Sequence, residues 1–197
     1  MINKNINLFK AKTFENFISN DDIETLLSFA KKREIWEDNG DWKDRTLNLE
    51  FLFKDGDTKI AIILNNIRKK IKEIIEFEYG NGKNIYADTV QLIRWLPGME
   101  QNLHADNMKN NVEAPEWFHH RDFGSVLYLN NDYDGGMTFY PEYEISIAPK
   151  PGMLLIHPGD SDHLHGVTKV KNVNRYTVVS FWTFDKKYEY DYSFVIE

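Results

Sequence analysis

The sequence predicts a mainly β protein, a sandwich or jelly roll, with helices packed against one sheet. Three observations carry this. From about Ile85 onward, short apolar runs are bounded by Gly, Pro, Asn or Asp, and no helical spacing interrupts them. Before that point the apolar residues recur at helical spacing. Aromatic residues make up 14% of the chain, enough to fill a β-rich core.

The elements follow in order. After Asp21, Ile23, Leu26, Leu27 and Ala30 mark one face of a helix, with Asn20 or Asp21 as its cap. A second helix starts after Asp57. Its stripe is Ile60, Ile63, Leu64, Ile67, Ile71, Ile74 and Ile75, and Gly80 ends it. Between the two, residues 36–50 read as a loop carrying Trp36, Trp42 and Arg45. One-faced helices need a flat partner, and a sheet supplies it. Eight strands then read as DTVQLIRWL, NLHAD, GSVLYLN, GMTFY, EISIAP, GMLLIH, HLHGVTKV and RYTVVSFWTF. No linker or repeat divides the chain. At 197 residues it supports one sizeable core, so residues 1–197 read as one domain, with 1–84 mostly helical support and 85–197 the β core.

Composition excludes several functions. A net charge of -7 argues against affinity built on phosphate neutralisation, so nucleic acid is not an expected partner. With no cysteine there is no disulfide and no thiolate site, and a metal must use His and carboxylate. MINKNINLFKAKTFENF lacks the apolar run of a signal peptide, and no stretch has the length of a membrane span. The expectation is a cytoplasmic protein without a membrane partner.

The chain has six histidines, and three of them frame the chemistry. His104-Ala105-Asp106 closes a predicted strand, where residues i and i+2 share a face roughly 6.5–7 Å apart. Imidazole and carboxylate then converge on one ion. A second histidine would complete a facial triad with open positions, the arrangement of non-haem Fe(II) oxygenases. His163 and His165 both offer themselves. His-X-Asp alone is a weak signal.

LHAD, LYLNNDYDGGMTFYPE, KPGMLLIHPG and HGVTKVKNVNRYTVV follow one another in that order. Together, over roughly residues 88 to 185, they resemble the Fe(II)/2-oxoglutarate-dependent dioxygenases, most closely the prolyl-4-hydroxylase-like branch. The resemblance implies a double-stranded β-helix (jelly-roll) core. It implies His104, Asp106 and His165 as the catalytic metal ligands. His165 is chosen over His163 because a Gly-Val pair follows it and Arg175 lies ten residues on. It implies that Arg175 meets the far carboxylate of 2-oxoglutarate, with Tyr128 donating to the same group. Cofactors would be Fe(II) and 2-oxoglutarate, with ascorbate as a reductant to test, and O2 as cosubstrate.

Other positions carry weaker expectations. Gly135 and Gly136 read as a tight connection and His157 as a buried core histidine. Trp95 stands where many relatives carry a tyrosine near the iron. It offers no phenol but can wall the pocket. Phe181 stands where the nucleic-acid-repair branch carries a second arginine. The long segment between Asp106 and Tyr128 suggests a lid. Within it His119 and His120 read first as solvated, with His120 a candidate substrate contact, and Arg121 as structural. Trp42 and Arg45 either grip a substrate or staple their loop, and the two readings stand level. Three functions follow: prolyl 4-hydroxylation of a peptide or protein, hydroxylation of a free amino acid or other small metabolite, and a non-catalytic jelly-roll binding protein.

Overall fold

The alternating runs after Ile85 form two antiparallel sheets, and the N-terminal part adds strands that alternation did not mark. This computed structural model describes residues 8–38, 40–109, 112–113 and 118–195. The elements are β1 (Lys12–Phe14), α1 (Asn20–Lys32), β2 (Thr46–Asn48), α2 (Leu49–Lys54), α3 (Thr58–Tyr79), β3 (Tyr86–Trp95), β4 (Gln101–His104), β5 (Met108–Lys109) and β6 (Val112–Glu113). They continue with β7 (Phe123–Tyr128), β8 (Thr138–Tyr140), β9 (Ile145–Ile147), β10 (Leu154–Pro158), β11 (His165–Val167) and β12 (Arg175–Thr183). The major sheet has the order β1-β10-β7-β12-β3-β2 and the minor sheet β4-β11-β8-β9, while β5 and β6 pair with each other. Two facing sheets with this mixed order are a jelly roll.

Strand parity explains both faces of the major sheet. Val90 and Leu92 of β3, Leu127 of β7, Leu154 and Ile156 of β10, and Tyr176, Val178 and Trp182 of β12 share one core with the helices. Leu26 of α1 and Leu64, Ile67, Ile71 and Ile75 of α3 supply the helical half. The alternate residues face the minor sheet, among them Ile93, Trp95, Tyr128, Leu155 and Arg175. A bulge opposite Phe181 and Trp182 slips the register of β3 by one residue. That slip turns Ala87, as well as Val90, towards the helices.

Two local expectations are corrected. The cap of α1 is Ser19, not Asn20 or Asp21, since its Oγ accepts from the Asp22 N–H at 3.1 Å. The segment 36–50 is not all loop. It carries a 3₁₀ turn at Gly40–Trp42, strand β2 on the sheet edge and the start of α2. Asn48 Oδ1 caps α2 by accepting from Phe51 N–H at 2.8 Å. Trp36 is buried and its indole donates to Arg33 O, so it staples this segment to α1. The lid reading falls partly on residues 110–111 and 114–117, which lie outside the described residues.

Candidate active site

His104 ends β4 and His165 begins β11, and the two are Cα partners across the minor sheet. Antiparallel pairing thus places two imidazoles side by side, their ring centres 4.4 Å apart. Asp106, two residues past His104, turns its carboxylate between them. Its Oδ1 lies 3.7 Å from His104 Nε2 and 3.7 Å from His165 Nε2. These gaps are too long for hydrogen bonds. One ligand atom from each of the three residues lies within 4.8 Å of the others, so the group could hold a metal ion.

Backbone carbonyls orient both rings. His104 Nδ1 donates to Asn102 O at 2.9 Å, and His165 Nδ1 donates to His163 O at 3.0 Å. Each ring therefore turns its Nε2 inward, as metal-binding histidines do. Burial, with His157 beside it, pushes His165 down to about 3, so its ring is neutral at physiological pH. Burial alone would raise the Asp106 carboxyl. The imidazoles of His165, His157 and His104 and the Arg121 guanidinium outweigh it and hold the group below the usual carboxylate range. The neutral His165 ring, the His104 ring beside it and an ionised carboxylate fit a divalent cation.

The structure separates the two histidines that the sequence left side by side. His163 is engaged elsewhere: its Nδ1 donates to Asp160 Oδ1 at 2.7 Å and its Nε2 accepts from Lys10 N–H at 3.2 Å. Only His165 of the pair joins His104 and Asp106.

Two neighbours of Asp106 were not marked as site residues by the sequence. Its Oδ2 is buried without a hydrogen-bond partner and lies 3.8 Å from His157 Nδ1. His157, expected as a plain core histidine, thus faces the carboxylate. A Cβ on Gly124 would overlap Oδ2 and stand 2.9 Å from His157 Cε1. Strand parity is the signal that could have found them, since Gly124 and His157 are Cα partners on the inner face.

Arg175 opens β12, fully buried, opposite Trp95. Its guanidinium carbon lies 5.3 Å from the Tyr128 ring centre and 5.2 Å from that of Trp95. Its Nε is buried and unpartnered. The Tyr128 hydroxyl shares a 2.7 Å hydrogen bond with Thr138 Oγ1, a residue the sequence reading did not single out. Tyr133 is a second such residue. Burial, partly offset by Arg175, lifts its phenol to about 12, and its hydroxyl has no partner. Gly136, at φ +61°, lets the chain pass Tyr133 and Arg175, where a Cβ would stand 2.6 Å from the one ring and 3.0 Å from Arg175 Cδ.

Trp42 packs edge to face on Trp95 at 5.5 Å, and Arg45 stacks against both indoles. His120 departs from expectation. It is neither solvated nor beside the triad, because its ring stacks on Tyr188 at 3.8 Å and its Nε2 lies 3.1 Å from Asp88 Oδ2. His119 is exposed. Arg121 pairs with Asp88 at 3.0 Å and covers the Phe181 ring at 3.8 Å.

Comparison with known proteins agrees with this geometry. A model of the 2OG-Fe(II) oxygenase superfamily matches residues 90–183. Prolyl 3-hydroxylase 2 of Mus musculus is 27% identical over 150 residues, covering 66% of this chain and 21% of that protein. The chain thus spans about a fifth of the length of the curated relatives it matches. Among solved structures, the viral collagen prolyl hydroxylase of Paramecium Bursaria Chlorella virus-1, in its 2OG complex, superposes with a TM-score of 0.66 at 19% identity, over 89% of this chain and 96% of that one. A prolyl hydroxylase from Trichoplax adhaerens, in complex with a hypoxia inducible factor peptide, gives 0.65 at 16% identity over 93% and 87%. Both show the same jelly roll.

Proposed function

We propose, from the match of residues 90–183 to the 2OG-Fe(II) oxygenase superfamily and from the geometry above, that the chain is an oxygenase of that kind and that it hydroxylates a prolyl residue of a peptide or protein. The observation that carries the reading is the convergence of His104 Nε2, Asp106 Oδ1 and His165 Nε2 on one point, with Arg175 and Tyr128 in the same barrel.

His104, Asp106 and His165 would hold Fe(II), and Arg175 with Tyr128 would receive the far carboxylate of 2-oxoglutarate. When bound, the pair supplies the oxidising power: O2 is divided between the substrate C–H bond and 2-oxoglutarate, which leaves as succinate and CO2. The protein positions and shields. His165 stays neutral and donates its Nε2 lone pair. The Arg175 fork offers paired charge-assisted hydrogen bonds to a carboxylate. The Tyr128 hydroxyl has Thr138 as its partner and is oriented before the cosubstrate arrives. Trp95 and Tyr133 wall the space beside Arg175 and exclude water from it. The helical and β parts are read as one catalytic unit, since Leu26 and Leu64 share a core with Leu127 and Trp182.

The position of hydroxylation is read as C4, on the motif order in residues 88–185. The curated relatives, named as prolyl 3-hydroxylases, favour C3 as the second reading. The test supplies a proline-rich peptide and, separately, free L-proline, with Fe(II), 2-oxoglutarate, ascorbate and air. Succinate formed in step with one added oxygen on the peptide is the expected result, and NMR of the ring distinguishes the two carbons. Oxygen added to free proline alone would move the assignment to a small-molecule hydroxylase. Absence of succinate with any substrate, from folded and metal-loaded protein, would leave the non-catalytic binding protein.

A further inference from the structure

Arg45 is the half-buried charge that this reading leaves unused. It lies just before β2, its guanidinium carbon 4.3 Å from the Trp42 ring centre and 4.4 Å from that of Trp95. Two indoles at right angles hold the guanidinium in place by cation–π contact and leave its N–H edge free. Its Nε and Nη2 are buried, yet neither has a hydrogen-bond partner. The Trp95 indole N–H beside it is also buried and unpartnered. Among the described residues, Arg45 makes no ion pair.

A purely structural arginine would satisfy these atoms, because an unmet charged donor in a buried place is costly. The unmet groups of Arg45 and Trp95 are donors that cannot accept: Arg45 Nε and Nη2, and Trp95 Nε1. The missing partner is therefore an acceptor. A second guanidinium, that of Arg175, shares the Trp95 ring at 5.2 Å, so the acceptor is an anion. Burial and the Arg175 charge both disfavour the charged form of Arg45, which an anion would reverse.

The charges say whose anion it is. A divalent metal and Asp106 sum to one positive charge. 2-Oxoglutarate brings two negative charges and Arg175 one positive, so that set is neutral. One cosubstrate carboxylate goes to the metal and the other to Arg175, which leaves none for Arg45. We propose that Arg45, clamped between Trp42 and Trp95 and joined by the Trp95 N–H, is a second carboxylate receptor, and that the carboxylate belongs to the substrate. This rests on the oxygenase reading above and narrows its substrate to an acid-bearing one: an imino acid with its own carboxylate free, or a peptide with an acidic group near the target ring.

The test uses protein loaded with Mn(II) and saturated with 2-oxoglutarate without O2, so that nothing turns over. Acetate is titrated as the probe and acetamide as its uncharged control, read by calorimetry and by tryptophan fluorescence. The expected result is saturable acetate binding with no response to acetamide. Arg45→Met should weaken acetate at least about tenfold while 2-oxoglutarate affinity stays within about threefold. Arg45→Lys, which keeps the charge and gives up the fork, should fall between. Acetate binding equal in wild type and Arg45→Met would overturn the proposal. So would loss of 2-oxoglutarate affinity in Arg45→Met as large as in Arg175→Met, which would give the carboxylate to the cosubstrate. If Arg45→Met does not fold, the wild-type contrast decides, and equal responses to acetate and acetamide overturn the proposal. Wild type that binds no 2-oxoglutarate with metal would remove the oxygenase reading itself, and this inference with it.

Discussion

At the scale of single residues, the site depends on close approach as much as on ligand chemistry. Gly124 has no Cβ where the Asp106 carboxylate and the His157 ring come together. Gly124→Ala therefore displaces Oδ2 and turns Oδ1 off the ion. Metal affinity should fall roughly 10–100-fold, the range seen when support of a ligand is disturbed. Metal titration checks this, and thermal melting shows whether the strand itself has survived. Tyr128→Phe removes one donor from the Arg175 pocket and strands the Thr138 hydroxyl. The 2-oxoglutarate Kd should rise about tenfold, equivalent to about 1.4 kcal/mol, with metal binding unchanged. An unaltered Kd would show that Arg175 alone holds the cosubstrate tail. That His165 rather than His163 lies with His104 and Asp106 agrees with the spacing to Arg175, which is linear information. The contact of His157 with Asp106 was not, since it joins residues 51 apart in number across two sheets.

At the scale of elements, legibility followed length. α3 shows an apolar stripe from Ile60 to Ile75, and its start after Asp57 and its end at Gly80 matched the reading. Eight of the ten described strands of the β half were found because turn residues bound them, and β5 and β6, of two residues each, were not. β1 and β2 span three residues each, too short for alternation to register, and they exist by pairing with β10 and β3. α2, with six residues, is likewise set by its Asn48 cap and by burial of Leu49 and Leu52 rather than by periodicity. Helix α3 holds the outer face of the major sheet through fully buried side chains. Leu64→Ala should cost about 2–5 kcal/mol, read by denaturant unfolding, while metal affinity of the remaining folded protein is unchanged. Loss of metal binding in step with stability at native conditions would show that the helices shape the site directly.

At the scale of the whole molecule, the two sheets have separate tasks. The outer face of the major sheet is apolar and bears the helices. Its inner face carries Arg175, Tyr128, Trp95 and His157 towards the minor sheet, which brings His104 and His165. Metal and cosubstrate would bridge these sheets, so they should stabilise the fold by mass action. At about 100 times its Kd a ligand contributes roughly 2.7 kcal/mol, or about 5–10 °C in Tm for a chain of this size. Calorimetry with and without Mn(II) and 2-oxoglutarate checks this, and each ligand should add less alone than the two together. The central claim is that His104, Asp106 and His165 hold Fe(II) with 2-oxoglutarate on it. It is tested most directly by adding Fe(II) and 2-oxoglutarate to the protein without O2 and recording the weak visible charge-transfer band of the chelate. Wild type and His163→Ala should show the band, and His165→Ala should not. A band that survives in folded His165→Ala, or that vanishes only in His163→Ala, would contradict the assignment, and a folded wild type with no band would contradict the function.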